Sequence, residues 1–314
     1  MENRDQKTPI QFDPPLPVCD YENSDYQQRF WEQGGREYED QVEAIALQRL
    51  LPPEGKLLLE VGAGAGRNTP RYQNFKQIVL MDYSLTQLEQ ARARLGSNER
   101  YLYVAANIYH MPFIPGIFDA ATMIRVIHHL ADAPLALEQV YQSLQPGAVF
   151  ILEFANKYNF KSIVRYLLRR QTWSPFTCEP VEFVPLNFDF HPSAISQWLQ
   201  DCGFEIQRYL TVSHFRTEFL KQHVSLPLLV GLDSVLQNSG NWLKLSPSIF
   251  VRSQVIERLE KTAALLNFPL MPQAIFRCPA CGTYPLETNQ EGFICPDCRH
   301  LWQNQGGIYD FRLG

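Results

Sequence analysis

Two groups of residues in this chain combine type and spacing in a way that implies chemistry. The first is Glu60-Val-Gly62-Ala63-Gly64-Ala-Gly66, with Asp82 standing 22 residues beyond Glu60. Glycines at alternate positions leave backbone N–H groups uncovered and free to adopt positive φ, so the loop can close around a ligand. An acid about 20 residues further on is placed to accept from both hydroxyls of a ribose. No Lys-Ser/Thr follows the glycines, so this is no phosphate-binding loop, and G-x-G-x-G departs from the G-x-G-x-x-G of dinucleotide sites. The second group is Cys278-Pro-Ala-Cys281 and Cys295-Pro-Asp-Cys298, with 13 residues between the pairs. Each C-x-x-C turn aims two thiolates at one point, and two turns complete a tetrahedral Zn²⁺ site. Four thiolates leave no open position, which makes such a zinc structural. A looser third set, Arg125, His128 and His191, supplies candidate catalytic residues, since an imidazole can act as a base near neutral pH.

The stretch E-V-G-A-G-A-G, with Met81-Asp82-Tyr83-Ser84 after the next apolar run, resembles the first two motifs of the class I S-adenosylmethionine (SAM) methyltransferases. The resemblance spans about Phe30 to Val255. It implies an α/β, Rossmann-like sheet of seven strands, six parallel and one antiparallel, with helices on both faces. It also implies that Glu60 and the loop Gly62, Ala63, Gly64 and Gly66 hold the methionine part of SAM. Asp82 and Tyr83 would hold the ribose, Asn107-Ile108 the adenine, and Arg125 would stand beside the cofactor. Asn107 replaces the acid usual in the family and can accept only through an uncharged amide oxygen. His128-His129-Leu130 resembles a branch that includes quinone, sterol and small-metabolite methyltransferases. No N/D-P-P-Y/F/W motif and no Pro-Cys nucleophile stands there. The tail, Gly306-Gly-Ile-Tyr-Asp-Phe311, resembles the closing strand of zinc ribbons found beside some rRNA methyltransferases and in a small activator of tRNA and protein methyltransferases.

The elements that must position these residues follow from periodicity. Residues 1–20, polar and proline-containing, read as a loose arm. Phe30 to Leu51 reads as a helix, and Tyr21, Tyr26, Trp31 and Tyr38 are candidates to line the pocket. Apolar runs at 57–61, 78–81, 101–106, 120–124 and 148–154 predict five strands, with Phe204–Phe215 a sixth and Pro247–Val255 a seventh, which the resemblance implies is the antiparallel one. A helix is expected directly after the glycines, with Asn68 or Thr69 as its cap and Pro70 in its first turn. Ser84-x-x-Gln87 is a capping box, and Asp132 caps a later helix. Between the sixth and seventh strands, residues 217–245 form a mostly helical insertion, expected to act as part of a lid. Lys157, Lys161, Arg165 and Arg169 step by four, so a helix would carry them on one face, with Phe160, Ile163, Val164, Leu167 and Leu168 on the other. That face suits an anionic lipid head group or a phosphate backbone.

The totals bound the rest. The 314 residues allow one large unit, 1–275, and a zinc ribbon, 276–314. A net charge of −5 argues against a protein that coats nucleic acid through its overall field. The start of the chain lacks an apolar signal segment and no run spans a bilayer, so a cytoplasmic protein is expected. The expected function is methyl transfer from SAM to a small-molecule or lipid acceptor, with structural Zn²⁺ and transient membrane contact. RNA is the alternative acceptor, and a non-catalytic SAM-binding scaffold the alternative class.

Overall fold

The structure is a computed structural model and describes residues 16–24, 31, 33–256 and 270–313. Tyr26 and Phe30 lie outside the described residues. Runs of Leu, Ile and Val build the centre of the sheet. β1 (Gly55–Val61) and β2 (Phe75–Asp82) pair in parallel from Gly55 opposite Phe75 to Val61 opposite Met81, and both are largely buried. β3 (Tyr101–Ala105), β4 (Phe118–Met123) and β5 (Leu144–Ala155) join in parallel, giving the order β3-β2-β1-β4-β5. The order reverses between β1 and β4, which opens a crevice at their carboxyl ends.

Helices cover both faces. α1 (Glu37–Leu50) ends ahead of Pro52-Pro53, and α2 (Leu85–Leu95) and α3 (Ala133–Ser143) start at their expected caps. The Ser84 side chain accepts from the Gln87 amide, and that of Asp132 from the Leu135 amide. After β5 come α4 (Phe160–Leu167), the hairpin β6 (Val181–Val184) and β7 (Asn187–Asp189), α5 (Pro192–Cys202) and β8 (Phe204–Val212). The insertion folds as α6 (Glu218–His223) and α7 (Leu226–Leu236), and β9 (Ser248–Val255) inserts antiparallel between β5 and β8. Val42, Leu88 and Leu229 of α1, α2 and α7 share one core, while Val140 and Ile195 of α3 and α5 share the other.

Four expectations are corrected. No helix follows the glycines: Thr69–Arg71 make one 3-10 turn, because only residues 67–74 are available before β2 begins. Of the expected loose arm, residues 1–15 lie outside the described residues and 16–20 are held in place, since Val18 forms a β-bridge with Leu130 and, just beyond, Glu22 accepts from the Leu85 and Thr86 amides. The cation face does not form. α4 has only 8 residues, Lys157 is buried ahead of it with Nζ donating to Glu179 O at 2.6 Å, and Arg169 lies beyond it in the left-handed region.

The sheet, finally, does not stop at seven strands. β10 (Glu287–Thr288), β11 (Gly292–Ile294), β12 (Leu301–Gln305) and β13 (Ile308–Asp310) continue it to eleven, with β13 parallel to β3 and Ile308 opposite Tyr103. The backbone groups of β3 would otherwise form an open edge. Phe276, Phe293, Trp302 and Phe311 pack into the same core as Phe113 and Phe118.

Candidate cofactor site and the thiol cluster

The crevice between β1 and β4 is an open cleft of about 1010 Å³, mouth included. Its floor is the glycine loop. Gly62, Gly64 and Gly66 all take positive φ, and a Cβ on Gly62 would stand 2.1 Å from Val126 Cγ2. The Gly64 amide donates to Asp82 Oδ2 at 2.8 Å and the Ser84 amide to Oδ1 at 3.0 Å. Burial raises the pKa of Asp82, and these two amide bonds oppose the rise. Among the residues expected to bind cofactor, Gly62, Ala63, Gly64, Asp82, Tyr83, Ile108 and Arg125 line the cleft.

Three do not. Glu60 is buried beneath the loop, accepting from Thr69 Oγ1 at 2.6 Å, and burial pushes its pKa up to about 7. Gly66 packs towards Leu95 and Ala91 of α2. The side chain of Asn107 accepts from the Tyr109 amide and caps the turn Ile108–His110, leaving its neighbours Ala106 and Ile108 to face the cleft. Tyr21 and Trp31 line the cleft as expected, whereas Tyr38 is buried in the core, donating to Asp233 at 2.6 Å.

One wall is an ionic cluster that periodicity alone did not reveal. Arg67 and Arg125 both pair with buried Glu43, and Arg67 and Arg71 pair with Asp40. Burial would raise the Glu43 pKa, but Arg125 and Arg67 together bring it down to about 2. Trp31 stacks on the Arg67 guanidinium at 3.5 Å, and Arg125 lies 4.9 Å from the same ring. The acids Asp40 and Glu43 on a predicted helix were the available signal. The mouth is crossed by residues 16–24: Tyr21 OH stands 3.3 Å from His129 Nε2, and His129 Nδ1 stands 2.9 Å from Leu186 O. Arg312, at the far end of the chain, donates to Glu22 and to the carbonyl of Tyr83.

Behind Arg125 lies a second polar group. Arg125 takes positive φ, and its amide donates to Glu153, which also accepts from Ser248. His128 Nδ1, Ser213 Oγ and Arg216 Nε are buried without a hydrogen-bond partner. Burial and then His129 and Arg125 depress the His128 pKa well below 6.5, so the ring is neutral at neutral pH. Burial raises Asp189 to about 6 against the pull of Arg216. His191 stands apart from the cleft, its Nδ1 accepting from Ser193 N at the start of α5. Of the two, only Asp189 faces this group.

The four thiols converge. The sulfurs of Cys278, Cys281, Cys295 and Cys298 all lie within 4.8 Å of one another, with Cys278–Cys298 at 3.6 Å and Cys281–Cys295 at 3.4 Å. A tetrahedron of thiolates ~2.3 Å from Zn²⁺ has sulfurs ~3.8 Å apart, so the donor set fits that ion. These separations are too long for a disulfide, which needs ~2 Å.

A left-handed glycine loop, a carboxylate closing the second strand and a cleft at the switch point define a Rossmann-like α/β protein built for a nucleotide-like ligand. Residues 59–152 match a family model described as a methyltransferase domain. The chain is 30% identical over 109 residues to O-methyltransferase cnsE of Penicillium expansum, covering 33% of this chain and 40% of that one. It is 29% identical to the demethylmenaquinone methyltransferase of Clavibacter sepedonicus (37% of this chain, 49% of that one). It is 30% identical to the 2-phytyl-1,4-naphtoquinone methyltransferase of Nostoc (36% and 54%). The matched stretch therefore spans about half the length of these relatives. In fold, the chain is similar to one from the complex of the Haloferax volcanii Trm112 methyltransferase activator with a methyltransferase. There the TM-score is 0.52 at 12% identity, over 74% of this chain and 96% of that one. A Listeria monocytogenes chain assigned to the SAM-dependent methyltransferases gives a TM-score of 0.51 at 15% identity, over 70% and 99%.

Proposed function

We propose that this protein transfers the methyl group of SAM to a small-molecule or lipid acceptor in the cytoplasm, with a structural Zn²⁺ held by Cys278, Cys281, Cys295 and Cys298. The observation that carries the reading is the cleft itself, where the Gly62–Gly64 loop and Asp82 converge beside Tyr83 and Ile108. SAM supplies a sulfonium whose methyl already has a good leaving group, so the work left to the chain is positioning. Loop amides suit the methionine carboxylate, Asp82 the ribose hydroxyls, and the apolar Ile108 and Leu130 the adenine ring. Glu60 acts one step back, fixing the loop through Thr69.

The acceptor would lie against Arg125, whose guanidinium Glu43 and Trp31 hold still. Of the three catalytic candidates, His128 is favoured as base: it is neutral, and its Nδ1 is unpartnered. Where the acceptor must lose a proton, the O–H or C–H bond would break towards His128 as the methyl leaves sulfur. Arg216 and Ser213, also with unpartnered polar atoms, would receive the acceptor's oxygen. The O-methyltransferase and quinone methyltransferases among the relatives support a small acceptor. RNA is disfavoured because buried Lys157 removes one end of the expected phosphate track.

The test is an incubation of a deletion-strain extract with the protein and methyl-labelled SAM, followed by fractionation. Label is expected in the organic or small aqueous fraction, with S-adenosylhomocysteine formed in step. Label in RNA that ribonuclease removes would reject the acceptor class. SAM binding without any turnover would leave a scaffold.

A further inference from the structure

The apolar side of α4 faces outward. Phe160, Leu167 and Leu168 are 65%, 68% and 57% exposed, and the one buried residue of the helix is Ser162. On a helical projection Phe160, Val164, Leu167 and Leu168 share an outer stripe, with Lys161 and Arg165 along one flank. The stripe continues across the fold. The Phe160 amide donates to Leu245 O, which sets Trp242 and Leu243, 84% and 59% exposed, beside the start of α4. Residues 237–241 join Trp242 to α7, where Leu228, Leu232 and Val235, at helical spacing, are also exposed. This makes one ridge from two distant parts of the chain. Ridges of this kind mark contact surfaces on proteins that otherwise bury such residues.

Charge says what the ridge meets. Residues 158–178 hold four cations, Lys161, Arg165, Arg169 and Arg170, and no acid, in a chain of net charge −5. In residues 226–245 the sole acid is Asp233, which is buried against Tyr38 and His214, while Lys244 remains. Exposed Trp, Phe and Leu rimmed by Lys and Arg match an interface of acyl chains beneath anionic head groups. A phosphate backbone would use the cations and leave the apolar stripe in water. No helix among the described residues is long and apolar enough to cross a membrane, so contact would be at the surface.

We propose that the ridge of α4, Trp242-Leu243 and the outer stripe of α7 docks on an anionic lipid bilayer. α4 follows β5 and the insertion follows β8, so both leave the sheet edge where the cleft lies. Resting on the functional reading above, this makes the acceptor a lipid-soluble molecule delivered from the membrane.

The experiment is flotation of the full chain with vesicles of phosphatidylglycerol and phosphatidylcholine, against phosphatidylcholine alone. Wild type is expected to float with the anionic vesicles and to be released by salt. Trp242→Ser/Leu243→Ser and, separately, Lys161→Glu/Arg165→Glu are expected to lose at least about tenfold in partitioning. SAM affinity and melting temperature of both variants should match wild type, which shows that they fold. Equal flotation of wild type and variants overturns the proposal. So does light scattering that finds a dimer dissociated by Trp242→Ser, which would assign the ridge to a second copy. Failure of wild type to bind SAM in calorimetry would instead reject the functional reading.

Discussion

At the residue scale, Asp82 already accepts two amide bonds, from Gly64 and Ser84, yet each carboxylate oxygen keeps a lone pair for a hydroxyl. Asp82→Ala should therefore weaken SAM binding by about 10- to 100-fold in calorimetry, with Asp82→Asn intermediate, because charge-assisted bonds are the strong ones. Unchanged affinity in Asp82→Ala would end the ribose assignment. Glu60 sets a pH dependence. Its pKa rises from an ordinary 4.5 to about 7, so the folded state holds this proton more tightly than the unfolded chain. The stability it contributes is complete below 4.5 and is lost as pH rises through about 7. The slope reaches at most about 1.4 kcal/mol per pH unit. His128 runs the other way: its depressed pKa adds stability above 6.5 that is lost as pH falls. Thermal melts of Glu60→Gln should fall less than those of wild type on going from about pH 5 to about pH 8. Parallel curves would show that Glu60 ionises normally.

At the scale of elements, the β1–β2 connection is a loop with one 3-10 turn, so its shape rests on the glycines rather than on a helix. Gly62 combines positive φ with a 2.1 Å clash to Val126, whereas a Cβ on Gly64 would meet only Gln87 Oε1 at 3.9 Å. Gly62→Ala should thus cost clearly more than the roughly 1 kcal/mol of left-handed strain expected of Gly64→Ala. It should also displace Val126, next to Arg125, and abolish SAM binding. Melting temperature and calorimetry on the pair check both points, and equal losses would mean that backbone strain alone governs the loop.

At the scale of the whole molecule, the thiol-bearing segment is joined to the cofactor site by three routes. β13 lies on β3, the Phe276–Phe311 aromatics share the main core, and Arg312 donates to the carbonyl of Tyr83 beside Asp82. Metal binding in small segments is largely folding energy. Chelation should therefore lower the melting temperature and weaken SAM binding together. Arg312→Ala should weaken SAM binding several-fold while elemental analysis still finds one Zn²⁺ per chain. If chelation leaves SAM affinity intact, the two sites are energetically independent despite the shared sheet.

Local signals carried the cofactor motif. Gly62, Gly64 and Asp82 are brought together by one strand, a tight turn and the next strand, so spacing alone implied their meeting, whereas Gly66 turned towards α2. The caps at Ser84 and Asp132 and the two C-x-x-C turns are equally short-range. Periodicity also placed the parallel strands, since buried apolar runs are continuous. Tertiary packing decided the rest, because those contacts depend on partners far away in sequence. Glu60 turned inward because Thr69 offered its hydroxyl, and Asn107 was consumed by a cap. Lys157 lost its place on a helix to the Glu179 carbonyl, and α4 kept its apolar stripe in the open because Ser162 alone found the core. The exposed β3 edge, a property of the folded sheet and of no single segment, took β13 and so drew the last residues of the chain to the cofactor cleft.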